Sequence, residues 1–304
     1  MKRVVSVSLG STKRDKTSRM EILGEEFEVS RIGTDGDMVR YAQLVRELDG
    51  NVDAIGLGGI DRYLWTDKRR YTIRDADKLA SNAVKTPVVD GSGVKNTLER
   101  RTIEYLNDNG IVSFGRSKVL IVSAVDRFGM AQTIARLSNQ VIYGDLMFAC
   151  NIPVPMRSYG MLRLAGTLLL PLVCALPFKW IYPTGEKQDK IVPKYQKYYD
   201  WADVIAGDFL IIKRTMPTPE SGLLRGKVVV TNTVTADDVE LLRARGVRLL
   251  VTSSPAVDGR YFATNVFEGI LITLLGKRPE DATVEDYALL LDKMDWKPTI
   301  TELN

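Results

Sequence analysis

Short β-branched runs alternate with amphipathic stretches along most of this 304-residue chain, and that alternation restricts its fold more than any other feature. A strand buried on both faces reads as a continuous Val/Ile/Leu run, and parallel neighbours need a long crossover, usually a helix. Residues 4–9, 53–57, 119–125, 203–206, 227–231 and 248–252 are such runs. Helices are expected over residues 38–48, 96–107, 130–137, 236–245, 265–275 and 284–294. Two hairpins interrupt the pattern: 20–23 with 26–32 around Gly24-Glu25, and 62–65 with 70–73 around a charged turn. The sequence therefore predicts an α/β protein of two domains. Residues 1–115 form an N-terminal α/β substrate domain. Residues 116–304 form a Rossmann-like domain with a helical insertion at 146–200, the boundary falling at Gly115-Arg116-Ser117-Lys118 ahead of a strong strand.

Histidine is absent and only Cys150 and Cys174 are present. Ser-His-Asp and Cys-His nucleophile systems, His-ligated zinc and a disulfide framework are thereby excluded, and no metal is expected. Acid–base chemistry must come from Lys, Asp, Glu, Tyr, Cys or water. The net charge of +4 does not point to nucleic acid, and its whole excess lies in residues 146–200, which hold seven Lys/Arg against three acids. Met1-Lys2-Arg3 and the short run behind it lack a signal-peptide core, so a cytoplasmic protein is expected.

The unit 118–145 has the layout of the first βαβ of a dinucleotide-binding domain. A buried strand runs into a tight turn, a helix opens at Gly129-Met130-Ala131, and the next strand ends in Asp145. In such a unit the helix N-terminus faces a diphosphate and the acid takes the ribose hydroxyls. Counting back from Gly129, the first two glycine positions hold Ala124 and Asp126, with Arg127 and Phe128 completing the turn. Asp126 is unwelcome beside a diphosphate unless Arg127 offsets it, and a turn that binds no nucleotide is the other reading. Asp208 after one strand and Thr231-Asn232-Thr233 after another stand where open α/β sheets bind ligands. They suit a nicotinamide or a substrate; the alternative is turn chemistry. Thr235 with Asp238 three residues on is an N-cap signal.

In the first domain Asp90-Gly91-Ser92-Gly93-Val94-Lys95-Asn96-Thr97 joins a strand to a helix. Gly91 and Gly93 allow close backbone approach, Lys95 polarises a carbonyl or exchanges a proton, and Asp90 holds the lysine or accepts a substrate hydroxyl. Ser92, Asn96 and Thr97 are candidate substrate contacts. The spacing is not that of a nucleoside-triphosphate loop. Ser8, Ser11 and Lys13 close the first strand and Gly59 another, which suggests a ligand-lined rim between the domains, with Asn265 at the start of a late helix facing it. The alternative is a set of solvated Gly/Ser turns.

The insertion carries an uncharged apolar run over residues 164–178, which is 15 residues long, short of the roughly 20 that span a bilayer. Pro171 and Pro177 are expected to kink or end a helix there. Two readings are open: a helical hairpin packed internally or at a homodimer interface, or membrane-surface contact through residues 156–199. In the second, Trp180, Tyr182, Tyr195, Tyr198, Tyr199 and the local lysines meet the headgroups.

A resemblance rests on the order of these segments: Ala202-Asp203-Val204-Ile205-Ala206-Gly207, then Arg225-Gly226-Lys227-Val228-Val229-Val230, then Gly246-Val247-Arg248. Asp258-Gly259 and Asn265-Val266-Phe267-Glu268-Gly269 follow. The chain resembles the shikimate/quinate dehydrogenase superfamily, in particular the divergent bacterial proteins labelled quinate 5-dehydrogenase. The resemblance implies hydride transfer between NAD(P) and a hydroxyl or keto carbon, with a Lys/Asp pair at the substrate. Gly93-Val94-Lys95-Asn96-Thr97 is the nearest match to the lysine region, but Leu98 and Glu99 follow where an aspartate is expected. In this reading Lys95 and Asp90 handle the proton, and Asp145 favours NAD over NADP. The rival is a non-catalytic ligand sensor or membrane-associated binding protein on the same fold. A cofactor-free lyase or isomerase is the third.

Overall fold

The computed structural model describes residues 1–66, 69–177, 191–254, 256–257 and 260–304. The first strand, β1 (Lys2–Ser8), is buried along its last five residues because it lies inside a sheet and is covered on both faces. After it come β2 (Lys16–Ile22), β3 (Glu25–Gly33), α1 (Met38–Leu48), β4 (Ala54–Gly58), the hairpin β5 (Tyr63–Trp65) and β6 (Arg70–Thr72), α2 (Arg74–Ala80), β7 (Val88–Val89) and α3 (Ser92–Asp108). The sheet order is β2-β3-β1-β4-β7. β1 is parallel to β3 and β4, β4 is parallel to β7, and only the edge strand β2 is antiparallel. Both expected hairpins form.

The second sheet is built from β8 (Val119–Ile121), α4 (Phe128–Leu137), β9 (Val141–Tyr143), α5 (Asp145–Phe148), α6 (Tyr159–Ala175), α7 (Gln196–Trp201), β10 (Val204–Ala206) and α8 (Phe209–Thr215). β11 (Val228–Thr231), α9 (Ala236–Arg243) and β12 (Leu249–Thr252) follow, then a small hairpin of β13 (Ala256–Val257) and β14 (Arg260–Tyr261). The chain closes with α10 (Thr264–Leu275), α11 (Val284–Lys293) and β15 (Thr299–Glu302). The order is β15-β12-β11-β10-β8-β9, parallel except for β15. Thr235 and Asp238 make the expected capping box at the start of α9. The protein is thus an α/β protein of two sheets and two domains, with helices inserted between β9 and β10.

Helices that leave one sheet pack against the other. α10 returns from the second sheet to lie on β1 and β4 of the first, and Phe267, Ile270 and Leu271 share a core there with Val4, Phe27 and Ala54. α11 joins the same core through Tyr287, Leu290 and Leu291. α3 belongs to both lobes: Val94 and Leu98 pack into the first, Ile103 and Leu106 into the second. α6 is a second bridge, with Leu162 in the core of the second sheet and Leu170 and Cys174 in that of the first. Each such aliphatic side chain contributes about 1.5–3 kcal/mol on burial, so the lobes are held by apolar contact on two sides.

Two expectations about the insertion meet the structure in part: the helix stops at Ala175, ahead of Pro177. Pro171 does not end the helix: α6 continues through it to Ala175. The expected hairpin is seen only in its first arm, α6; Phe178, Lys179, Trp180, Tyr182, Lys187 and Lys190 lie outside the described residues.

α4 meets α3 at Gly129, where an added methyl group would come within 2.5 Å of the carbonyl oxygen of Asn96. That obstacle is backbone and cannot rotate away. Gly129→Ala is therefore expected to lower the unfolding free energy by about 1–3 kcal/mol, measured by urea denaturation. Unchanged stability would show that α3 and α4 do not touch as described.

Candidate functional site

In the second sheet the connections from β8 and β10 leave on opposite sides, β9 lying beyond β8 and β11 beyond β10. A crevice forms at the carboxyl ends of such strands. Residues 122–127, which join β8 to α4, fill it, and α3 covers it with Lys95 and Glu99, one helical turn apart and so on one face.

Arg127 is the centre of this arrangement. Its guanidinium is almost completely buried. Nη1 donates to Glu99 of α3, Nη2 donates to Asp208 Oδ2 at 2.7 Å, and Nε stands 3.6 Å from Asp126 Oδ2. Burial pushes the guanidinium towards losing its proton, but the carboxylates of Glu99, Asp126 and Asp208 outweigh it and hold the charge more firmly than usual. Asp208 is fixed in turn: its other oxygen caps α8 at Leu210 N (2.8 Å), and Asn232 Nδ2 reaches Oδ2 at 3.4 Å. Asn232 Oδ1 accepts from Phe209 N, Thr231 donates to the carbonyl of Gly207, and Thr233 pairs with Ser254. Ser123 Oγ accepts from Asp208 N.

Beside Arg127, Lys95 Nζ lies 3.4 Å from Asp126 Oδ2, and this pair is less enclosed: the side chains of Lys95, Asp126 and Asp208 are 15%, 27% and 21% exposed. Burial, the largest influence, and the Arg127 charge push Lys95 down. Asp126, Asp61 and Glu99 outweigh them and hold it above the usual lysine range. Burial would raise Asp126, but Lys95 and Arg127 outweigh it and keep its carboxylate charged. Lys95 at neutral pH is thus a fixed cationic hydrogen-bond donor. Of the two roles open to Lys95, polarising a carbonyl agrees with this, whereas proton exchange would need neighbours that lower its pKa.

Asp90 does not hold Lys95. Its Oδ2 accepts from Arg62 N (2.7 Å) and Tyr63 N (2.9 Å), and its Oδ1 accepts from Ser92 N and Oγ. The proposed Lys95/Asp90 pair is replaced by Lys95/Asp126, since Asp90 is consumed in ordering the β5–β6 hairpin and the start of α3. Ser8 and Ser11 likewise serve their own loop: Ser8 Oγ accepts from Gly10 N and Arg31 Nη2, and Ser11 Oγ accepts from Lys13 N. Gly59, with φ of 74°, turns the chain beside Leu9. Asn96 faces Gly129, Asn265 Nδ2 donates to Ser6 Oγ at 2.7 Å, and Thr97 is buried. Among the expected residues, then, Lys95, Asp126, Arg127, Asp208 and Asn232 are brought together, while Ser8, Ser11 and Asp90 are engaged elsewhere.

The bend does not fit a dinucleotide as it stands. Asp145 Oδ1 accepts from both Ala124 N and Val125 N at 2.8 Å, so a carboxylate already sits on the amides that would greet a phosphate. Gly129 offers no space, being pressed on Asn96, and Phe128 turns away to meet Tyr159 edge-on at 6.0 Å. Asp126 and Asp208 add negative charge. Asp145 Oδ2 and Glu99 Oε2 are buried with no hydrogen-bond partner among the described residues. Among the described residues no cluster of three His, Cys, Asp or Glu side chains suits a metal. Cavities of about 470 Å³ (beside Arg225, Arg243 and Arg248) and about 330 Å³ (beside Lys2, Asp53 and Lys277) touch none of these residues.

Sequence reasoning passed over Glu99 as a partner of Arg127 and missed Glu268. The Lys95/Glu99 spacing of one turn was a usable signal for the first. For the second there was none, because α10 returns from far along the chain. Glu268 Oε2 accepts from Gly91 N at 2.6 Å and Oε1 from Tyr287 OH at 2.8 Å. Burial first, and then the Asp90 carboxylate, push Glu268 up to about 8. Burial likewise pushes Asp145 up to about 6. Both acids bind protons more tightly folded than unfolded, so their contribution is complete at low pH and is lost as pH rises through 6 and then 8. Without histidine, few side chains titrate between those values. The unfolding free energy is expected to fall by roughly 1–2 kcal/mol from about pH 6 to pH 8, and Glu268→Gln should remove most of the fall. A flat profile in the unaltered protein would contradict the burial of Glu268.

The sequence of no curated protein matches this chain. A galactofuranose-binding protein is similar in structure at 14% identity and a TM-score of 0.41, over 99% of this chain and 95% of that one. A substrate-binding protein of a sugar transport system from Bordetella parapertussis is similar at 11% identity and 0.42, over 99% and 89%. An NAD-dependent malic enzyme from Thermotoga maritima is similar at 15% and 0.39, over 83% and 65%. Likenesses this distant carry no argument about ligand or activity. The family model described as a domain of unknown function, DUF8753, matches residues 3–90. A second, DUF8754, matches residues 93–303, and the chain belongs to that family of unknown function.

Proposed function

We propose that the chain binds a small, uncharged, hydroxyl-rich molecule between its lobes, with Lys95, Asp126 and Asp208 as its contacts. The observation that carries this reading is the meeting of Lys95, from the first-lobe end of α3, with Asp126 at the crevice of the second sheet, both partly accessible. Carboxylates outnumber cations around it: Asp61, Glu99, Asp126 and Asp208 against Lys95 and Arg127. Such a set accepts hydrogen bonds from hydroxyl groups and repels phosphate. A fixed ammonium among acceptors also suits a ring bearing a keto or hydroxyl oxygen.

A second reading, the NAD(P)-dependent oxidoreductase acting on a hydroxyl/keto pair that the sequence resemblance implies, is favoured by the order β8, bend, α4, β9, Asp145. It requires the lobes to part and Asp145 to leave Ala124 and Val125. Chain division after residue 115, a homodimer and a cytoplasmic location are proposals that rest on the sequence.

Calorimetric titration with cyclic polyols and aldoses, alongside NADH and NADPH, separates the readings. Binding of a polyol, weakened about 10–100-fold in Lys95→Met as expected for a hydrogen bond to a charged group, supports the first. Tight NADH binding lost in Asp145→Ala, with no polyol binding, overturns it in favour of the second.

A further inference from the structure

We propose that the cavity of about 470 Å³ at the amino-terminal edge of the second sheet is a binding site for a small phosphate-bearing anion. Two similar turns build it. Arg225-Gly226 enters β11 and Arg245-Gly246 enters β12, and these strands are parallel neighbours, so both turns come to one edge. Gly226 and Gly246 have φ of 73° and 76°, in the left-handed region that glycine adopts without strain. Gly226 N donates to the carbonyl oxygen of Gly246 at 2.8 Å and ties the two turns together. A β-carbon on Gly246 would stand 3.3 Å from Cα, Cβ and Cγ of Arg225, so that arginine lies across the second turn. Arg243, at the end of α9, and Arg248, just before β12, bring the arginines of the lining to four.

Most of this charge has no counter-ion. Among the described residues none of the side chains lining the cavity is acidic. Arg243 pairs with Glu240, one turn before it. Arg225 and Arg248 are exposed, and neither side chain makes a hydrogen bond or an ion pair among the described residues. Arg245 is 8% exposed, yet its Nε and Nη1 donate only to the carbonyl oxygens of Pro217 and Leu241, both at 2.9 Å. Arg127, buried likewise, is matched by three carboxylates. Arg245 feels only the more distant charge of Glu220, which burial outweighs, pushing the guanidinium down. A cation held at this depth without a carboxylate partner is stabilised by an added anion.

The main-chain amides of the turns are already engaged: those of Gly222, Arg225, Gly226 and Gly246 donate to carbonyl oxygens of the same turns. Recognition therefore falls to the guanidinium groups, whose planar forks match phosphate oxygens two at a time. A cavity of this volume takes a small molecule, and a ligand with two phosphate groups engages arginines from both turns. This edge lies opposite the crevice, so the inference does not rest on the ligand proposed there.

The test is calorimetric titration of the whole chain with inorganic pyrophosphate. Binding is expected, and raised salt should weaken it. Arg225→Gln with Arg248→Gln should weaken it about 10–100-fold, as for the loss of hydrogen bonds to a charged group. Both positions are exposed, and an unchanged thermal melt verifies that the variant is folded. Lys16→Gln with Lys78→Gln removes the same charge from exposed positions on the first lobe and should bind as the unaltered protein does. No binding of pyrophosphate overturns the inference. An equal loss in the lysine variant also overturns it, because the attraction would then be one of net charge. So does an RNA oligomer that binds while pyrophosphate is ignored, which would assign the arginines to a macromolecule.

Discussion

A guanidinium buried among carboxylates from different elements is the constraint on which this fold's centre rests. Arg127 takes Glu99 from α3, Asp208 from the end of β10 and the neighbouring Asp126. An isolated charge at that depth would cost far more than a folded protein has to spare, whereas a matched set roughly breaks even. The geometry is therefore demanding rather than strongly stabilising. If α3 drifted, Glu99 and Arg127 would each be left charged in an apolar surround, and that penalty sets the position of Lys95 one turn earlier on the same helix. The candidate site inherits its shape from the ion network behind it.

Much of the architecture was legible. Runs of Val, Ile and Leu gave the strands, Gly24-Glu25 gave the first turn, and Thr235 with Asp238 gave a helix start, because each depends on a few adjacent residues. The crevice at the end of β8 was legible too, since a βαβ order fixes where a parallel sheet opens. Partners that come from afar were not. Asp145 was in place for a ribose, yet its carboxylate folds back on Ala124 and Val125, as a buried acceptor will when free amides are nearer than any ligand. Asp90 was taken for the partner of Lys95 when the amides of Arg62 and Tyr63 are closer. The seating of α10 on the first sheet was anticipated only in Asn265 facing the rim; the contacts of Glu268 and Gly269 span most of the chain and leave no local trace.

Pro171 marks a different limit. Rules for proline describe an isolated helix, where a lost amide and a ring clash outweigh the alternatives. In α6, Leu170 and Cys174 on either side are buried against the first lobe, so tertiary packing carries the helix past the break. The same packing leaves Leu164, Leu168 and Leu172 facing outward, so one helix straps the lobes together with one side and exposes leucines on the other.

The most direct measurement of the account is a double-mutant cycle between Glu99 and Arg127, using Glu99→Leu, Arg127→Leu and the pair in urea denaturation. Each single change should cost about 3–5 kcal/mol by stranding its partner. The pair should cost less than the sum by about 2 kcal/mol or more. Costs that add to within about 0.5 kcal/mol would mean that the two side chains do not meet, and the tie between α3 and the second sheet would have to be abandoned.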